Sequence, residues 1–271
     1  MRRFITAALC GLLAASSAYA DDKAPTAKQP QAPAEAAQSQ GEMIDAPTQY
    51  HHCIALARQK PQEGWEEALA WTSLGGGEPA RHCAAVALIG LGQFEEGATR
   101  LEILARDSHS ANKLRAGMLA QAGQAWLIAR QPEKAYADQS AALKLVPDAP
   151  DLLVDRAESL AAAKNYREAL DDLNKAVEIS PKRVDALVFR ATAKRYLDDL
   201  DGAKTDLETA IQASPNSQEA WLESGMIKRL TGDDPGARKD WLKVLDINPN
   251  TPTADTAREN IAKLDVEKVK Q

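Results

Sequence analysis

Between residues 116 and 251 apolar residues recur at spacings of three and four, and proline interrupts them at a fixed step. Residues 167–179, REALDDLNKAVEI, place Ala169, Leu170, Leu173, Ala176 and Val177 on one stripe. That pattern predicts an amphipathic helix. Residues 151–163, DLLVDRAESLAAA, are rich in alanine and leucine with no internal glycine or proline, so they predict a second helix. Residues 164–166, KNY, form the short turn between them. Ser180-Pro181 ends the pair, because proline disfavours helix at the residue before it.

The same hairpin is written four times. Pro147, Pro181, Pro215 and Pro249 stand 34 residues apart, and so do Ala135, Ala169, Ala203 and Ala237. Small residues Gly123, Ala157, Ala191 and Gly225 form another row, where two helices crossing closely have no room for a long side chain. Further rows are Ala142, Ala176, Ala210 and Val244, and Leu119, Leu153, Leu187 and Trp221. A fixed period of this length predicts stacked repeats, in which each pair buries its apolar faces against its neighbours.

With Trp or Leu near the start, Gly or Ala four residues later, Ala in the second helix and Pro at the end, the unit resembles the tetratricopeptide repeat. The last copy, with Trp221, Gly225, Gly232, Ala237, Trp241 and Pro249, carries the resemblance best. The resemblance implies an all-α fold: a right-handed α-solenoid of stacked antiparallel helix pairs with a C-terminal capping helix. It implies no chemistry. It reaches upstream through LGQFEEGATRLEIL to about residue 78, and a more divergent pair is expected within 48–74. Pro61 is expected to break helix there, and Gly75-Gly76-Gly77 to make a turn. Residues 107–115, DSHSANKLR, interrupt the register by about four residues and are expected to form a longer loop.

The ends of the chain differ in character. Arg2 and Arg3, the apolar stretch Ile5 to Ala15, and Ala18-Tyr19-Ala20 compose a secretory leader over residues 1–20. Leu9 before Cys10 argues against a lipid-attachment site. No other apolar run is long enough for a bilayer span. Residues 21–47 carry prolines, alanines and glutamines without apolar periodicity and are expected to be a disordered linker. Divergent helical repeats then fill 48–115, four repeats 116–251, and a polar capping helix 252–271. Without residues 1–20 the chain has 31 basic and 39 acidic residues, a balance that excludes nucleic acid and anionic membrane as main partners.

Two cysteines remain after the leader, Cys53 and Cys83, 30 residues apart. The repeat register puts them on the first helices of adjacent pairs, where an oxidising compartment favours a disulfide. Such a bridge stabilises the divergent end by ~3 kcal/mol. The alternative is a metal- or redox-handling role for His51-His52-Cys53 and Arg81-His82-Cys83. Adjacent residues of a helix point about 100° apart, which disfavours it. The remaining histidine, His109, stands alone, and no catalytic motif occurs. A cell-wall-binding module is a third reading, prompted by five tryptophans, of which Trp126, Trp221 and Trp241 fall at core positions.

Family resemblance also implies roles by position. Arg156 and Arg190 in first helices, and Asp138, Asp172, Asp206 and Asp240 in second helices, are expected to pair within a copy, each pair half-exposed and worth under ~1 kcal/mol. First helices in this family line a groove that holds a partner segment. The corresponding residues are Gln124, Leu127 and Ile128, then Val154, Glu158 and Ala161. Val188, Thr192, Arg195 and Tyr196 follow, and then Leu222, Met226, Arg229 and Leu230. Lys194 and Lys228 add positive charge late in the row, so the expected ligand is a protein or peptide segment with apolar anchors and some acidic groups. None of the family's carboxylate-clamp residues is present at Val154, Glu158, Val188, Thr192, Leu222 or Met226. No cofactor is expected. The function these features imply is that of a non-catalytic scaffold or adaptor, exported to a bacterial periplasm, where this fold and leader are common.

Overall fold

A computed structural model describes residues 46–269, the last three by backbone alone. The leader read at 1–20 and all but the last two residues of the linker lie outside them. The described residues form helices α1 (Ala46–Gln59), α2 (Pro61–Ser73), α3 (Gly77–Gly90), α4 (Phe94–Asp107), α5 (Asn112–Ile128), α6 (Pro132–Leu145) and α7 (Pro150–Ala162). They continue with α8 (Tyr166–Ile179), α9 (Val184–Tyr196), α10 (Leu200–Ala213), α11 (Gln218–Leu230), α12 (Asp234–Ile247) and α13 (Pro252–Val269). There is no strand among them. The architecture is an all-α helical-repeat solenoid, each odd-numbered helix to α11 pairing with the next.

Local chemistry explains the hairpins. In the pairs from α3–α4 to α11–α12, the residue after the first helix's cap has positive φ: Gly92, Arg130, Lys164, Asp198 and Gly232. The following amide then reaches back five residues, as Asn165 N–H does to Leu160 O (2.8 Å) and Asp233 N–H to Lys228 O (2.9 Å). This left-handed closure satisfies the last carbonyls of the helix. Glycine adopts it freely, whereas Arg130, Lys164 and Asp198 do so against their Cβ. Lys164 is exposed, and Lys164→Gly is expected to raise the unfolding free energy by ~0.5–1 kcal/mol in urea denaturation.

The helix crossings are matched in size. A Cβ on Gly225 would lie 2.3 Å from the indole nitrogen of Trp241, and one on Gly123 would lie 2.9 Å from Gln139. Where the facing residue of the row is Leu173 or Leu207, the small residue is Ala157 or Ala191. Tryptophan and the unbranched glutamine are thus met by glycine and leucine by alanine, which keeps the packing dense. At the far end Ala254, Ala257 and Leu264 of α13 are buried on Ala237, Trp241 and Val244.

Two boundaries differ from the sequence reading. Ala46 and Pro47 form the first turn of α1, and proline is tolerated there because its missing N–H has no helical partner anyway. The interruption at 107–115 leaves only residues 108–111 outside helix. Asp107 ends α4, and residues 112–115 become an additional first turn of α5, which runs to 17 residues.

Candidate functional site

That additional turn shapes the face built by the first helices of the pairs. Successive first helices α5, α7, α9 and α11 are neighbours, and α1 packs on α3, but α5 packs on α4 and hardly on α3. The connection is tied down: Ser108 and Ser110 hydroxyls both donate to Glu78 Oε2, at 2.8 and 2.9 Å. Two hollows open where α3 and α5 part. One, of about 420 Å³, is lined by Tyr50, His82, Lys113, Leu114 and Met118 among others. The second, of about 480 Å³, is lined by Arg58, Val86, Ile89, Gln124, Ile128 and Asp155 among others. Gln121 borders both.

The wall between α1 and α3 holds the cysteines. Cys53 and Cys83 sit with Cα atoms 6.1 Å apart and their sulfurs bonded. His82, also buried, turns into the first hollow. Its Nδ1 lies 2.8 Å from the Tyr50 hydroxyl and its Nε2 3.1 Å from Gln121 Oε1. A glutamine oxygen only accepts, so Nε2 carries the proton and Tyr50 donates to Nδ1. Burial lowers the His82 pKa, which keeps the ring neutral. His51 and His52 are exposed. The two His-Cys pairs therefore do not converge, and among the described residues no group of three His, Cys, Asp or Glu is placed to hold a metal ion.

Beyond the second hollow the polar groups are acidic. The Gln124 amide donates to Asp155 Oδ1 (2.9 Å) and Glu158 Oε2 (3.2 Å). No cation lies within ion-pair distance of either carboxylate among the described residues. Burial pushes Asp155 up to about 6; the Gln124 hydrogen bond opposes this, and Glu158 and Asp151 add to it.

The rest of the predicted groove fares unevenly. Val154 is buried at 4% exposure in the core between helix pairs and is not available to a partner. Leu127 packs against the cluster around Trp126, and Val188 also packs inward. Leu222 and Met226 pack against the Trp241 cluster, and Met226 Sδ accepts from Asn260 of α13 (3.4 Å), so the capping helix occupies part of the late groove. The Thr192 hydroxyl is spent on Val188 O. Tyr196 is open and stacks on Tyr166 with ring centroids 4.1 Å apart.

The late positive charge is neutralised from within. Arg195 pairs with Glu223 (2.5 Å), Lys194 with Asp206 (2.8 Å), Lys228 with Asp240 (2.6 Å) and Arg229 with Asp234 (2.6 Å). These cations have carboxylates already, which removes the reason for expecting acidic groups in a ligand.

Between the helices of a copy, Arg156 grips Asp172 through two bonds (2.7 and 2.6 Å), and Arg190 grips Asp206 likewise (2.9 and 2.5 Å). Asp172, Asp206 and Asp240 are buried at 7%, 3% and 2% exposure, not half-exposed as expected. Ser224 replaces the arginine in the last copy and donates to Asp240 Oδ2 (2.6 Å). In the first copy Ala122 stands there and Asp138 has no arginine. Its neighbour is Glu102, which accepts from the Trp126 indole (2.5 Å). Burial and that second carboxylate push Asp138 up to about 7. A raised carboxyl pKa means that the folded chain holds a proton the unfolded chain has released, so stability falls as pH rises from about 4 to about 7. Asp138→Asn is expected to flatten this fall by ~2 kcal/mol, read as the difference between urea denaturation at pH 5 and pH 8.

Of the tryptophans, Trp71, Trp126 and Trp241 are buried, whereas Trp221 is half-buried and its indole donates to Pro215 O (2.9 Å).

A row of antiparallel helix pairs presenting first helices on one face is a repeat scaffold. Residues 127–184 and 190–254 match the family model described as tetratricopeptide repeat. Over these residues the chain is built of tetratricopeptide repeats, a fold that serves as a scaffold for protein or peptide partners. Among solved structures it is similar to MamA from Desulfovibrio magneticus RS-1 (TM-score 0.54, 20% identity, 65% of this chain and 97% of that one). A thermophilic repeat protein from Thermus thermophilus gives a TM-score of 0.58 at 16% identity, over 70% of this chain and all of that one. YrrB, described as a TPR protein with an unusual peptide-binding site, gives 0.50 at 18% identity, over 70% and 96%. At these identities the likeness is one of fold. No curated protein matches the chain in sequence.

Proposed function

We propose that this chain is a non-catalytic scaffold or adaptor of the bacterial periplasm that holds a partner's polypeptide segment on the face of its first helices. The observation that carries this reading is the pair of adjoining hollows of about 420 and 480 Å³ where α3 and α5 part. Their size suits apolar side chains from a partner, since ligand sites run to ~300–1,000 Å³. Leu114 and Ile128 stand exposed at their margins, at 61% and 56%. The peptide-binding site in YrrB's description supports the same use of the fold. Export is supported by the leader-like residues 1–20 and by the pairing of Cys53 with Cys83. Photoreactive residues at Leu114 and Ile128, with Thr192 as the late-groove comparison, test the binding face in living cells. Crosslinks to envelope proteins concentrated at the first two positions are expected. Their absence from all three would sink the reading. Release of the protein by osmotic shock, with both thiols blocked to alkylation until reduction, tests the location and the bridge.

A further inference from the structure

The second hollow has a character that selects its occupant. Its floor is apolar, contributed by Val86 and Ile89 of α3 and by Ala120, Ala125 and Ile128 of α5. Asp155 closes it from α7, and Glu158 stands one helical turn further along the same helix. Every charged group facing Asp155 can be named. Gln124 of α5 is neutral; Asp151 and Glu158 of α7 are acidic; Arg183, just before α9, raises the positive count. Arg183 is already held by Asp151 and Asp185. Arg58 of α1 lines the same hollow but makes no ion pair with Asp155. The apolar floor therefore runs into two carboxylates whose only close side-chain donor among the described residues is an uncharged amide, that of Gln124.

Resting on the protein-binding reading above, we infer that this hollow takes an apolar side chain of the partner while Asp155 and Glu158 receive a lysine or arginine next to it. The occupant is thus an extended segment with a basic residue flanked by aliphatic or aromatic ones. An arriving ammonium or guanidinium supplies the countercharge that Gln124 cannot, in a partly desolvated place where charge pairing is strengthened. An acidic segment meets like charge here, and like-charge contact is how an interface rejects wrong partners. The shared border at Gln121 lets a second apolar residue of the same segment enter the neighbouring hollow.

Protonation offers an independent handle. Asp155, raised to about 6, must be ionised to hold a cation. Affinity is then full above pH 7 and weakens as pH falls below about 6, by about tenfold at pH 5.

The test selects a phage-displayed library of random dodecapeptides on the folded full chain at pH 7.5. Enriched peptides are expected to carry Lys or Arg beside Leu, Ile, Val or Phe. A synthetic peptide of the enriched sequence should bind Asp155→Asn/Glu158→Gln at least about tenfold more weakly. On the unaltered protein, exchanging its basic residue for norleucine should cost as much, which answers the objection that the double variant is misfolded. Enrichment of acidic or uncharged peptides, or binding indifferent to both changes, overturns the inference and leaves peptide binding standing. Failure to enrich any peptide overturns the peptide-binding reading itself and the inference with it.

Discussion

Asp206→Ala will lower the unfolding free energy by about 3–5 kcal/mol, the cost of leaving buried charge without its partner. Asp206 is 3% exposed and takes two cations: the guanidinium of Arg190, through Nε and Nη2, and the ammonium of Lys194. The side chains of those cations are themselves only 18% and 16% exposed, so water cannot replace the lost carboxylate. The loss is of a different kind from an exposed pair, which is worth ~0–1 kcal/mol. Removing Arg190 and Asp206 together for leucines should recover part of the stability, because only Lys194 then lacks its carboxylate, and it keeps its bond to Gly202 O. Urea denaturation of the two single variants and the double one closes the cycle. Equal, small losses from every variant would mean that the carboxylate is solvated after all. The contrast with Asp138 is informative. Both residues occupy one row of the repeat, yet the cationic partner makes Asp206 costly to lose, while its absence makes Asp138 favourable to neutralise.

How far the sequence could be read followed its periodicity. The 34-residue step located the hairpins, because a helix end needs only local signals: Ser180 before Pro181, a short turn, an apolar stripe. It also located the small residues at the crossings. Side-chain direction was less legible. A helix advances about 100° per residue, so a position carried over from a family is off the groove if its helix is rotated slightly. Val154 illustrates this, buried among Leu153, Ala186 and Leu187 although its family position faces a ligand. The cations of the late groove show a second limit. Arg195 and Glu223 lie 28 residues apart, on neighbouring copies, and nothing local announces their pairing. The hollows were missed for a third reason. They arise where the period fails, at residues 108–115, and a period cannot describe its own interruption. A signal was nonetheless present. Leu114 and Ile128 are apolar residues in a helix whose apolar positions run all round it, more than one packed face needs.

Cys53→Ser/Cys83→Ser will destabilise the N-terminal pair by about 3–4 kcal/mol, by the loop-closure relation for a loop of this length. The effect should be local. The cluster joining α1, α2 and α3 consists of five alanines, Trp71 and the two cysteines, so it buries few large side chains. The core around α7 and α8 holds several leucines and valines instead. The bridge thus stands where packing is thinnest, and where α1 contributes Tyr50 to one hollow and Arg58 to the other. In the double variant α1 should open independently of α5–α13. Hydrogen exchange will then show protection lost in α1 and α2 and retained in α9–α12. Peptide affinity for the hollows should fall with it, while thermal unfolding of the later repeats stays unchanged. Uniform loss of protection along the whole chain would mean that the repeats unfold as one unit and that the bridge steadies all of them.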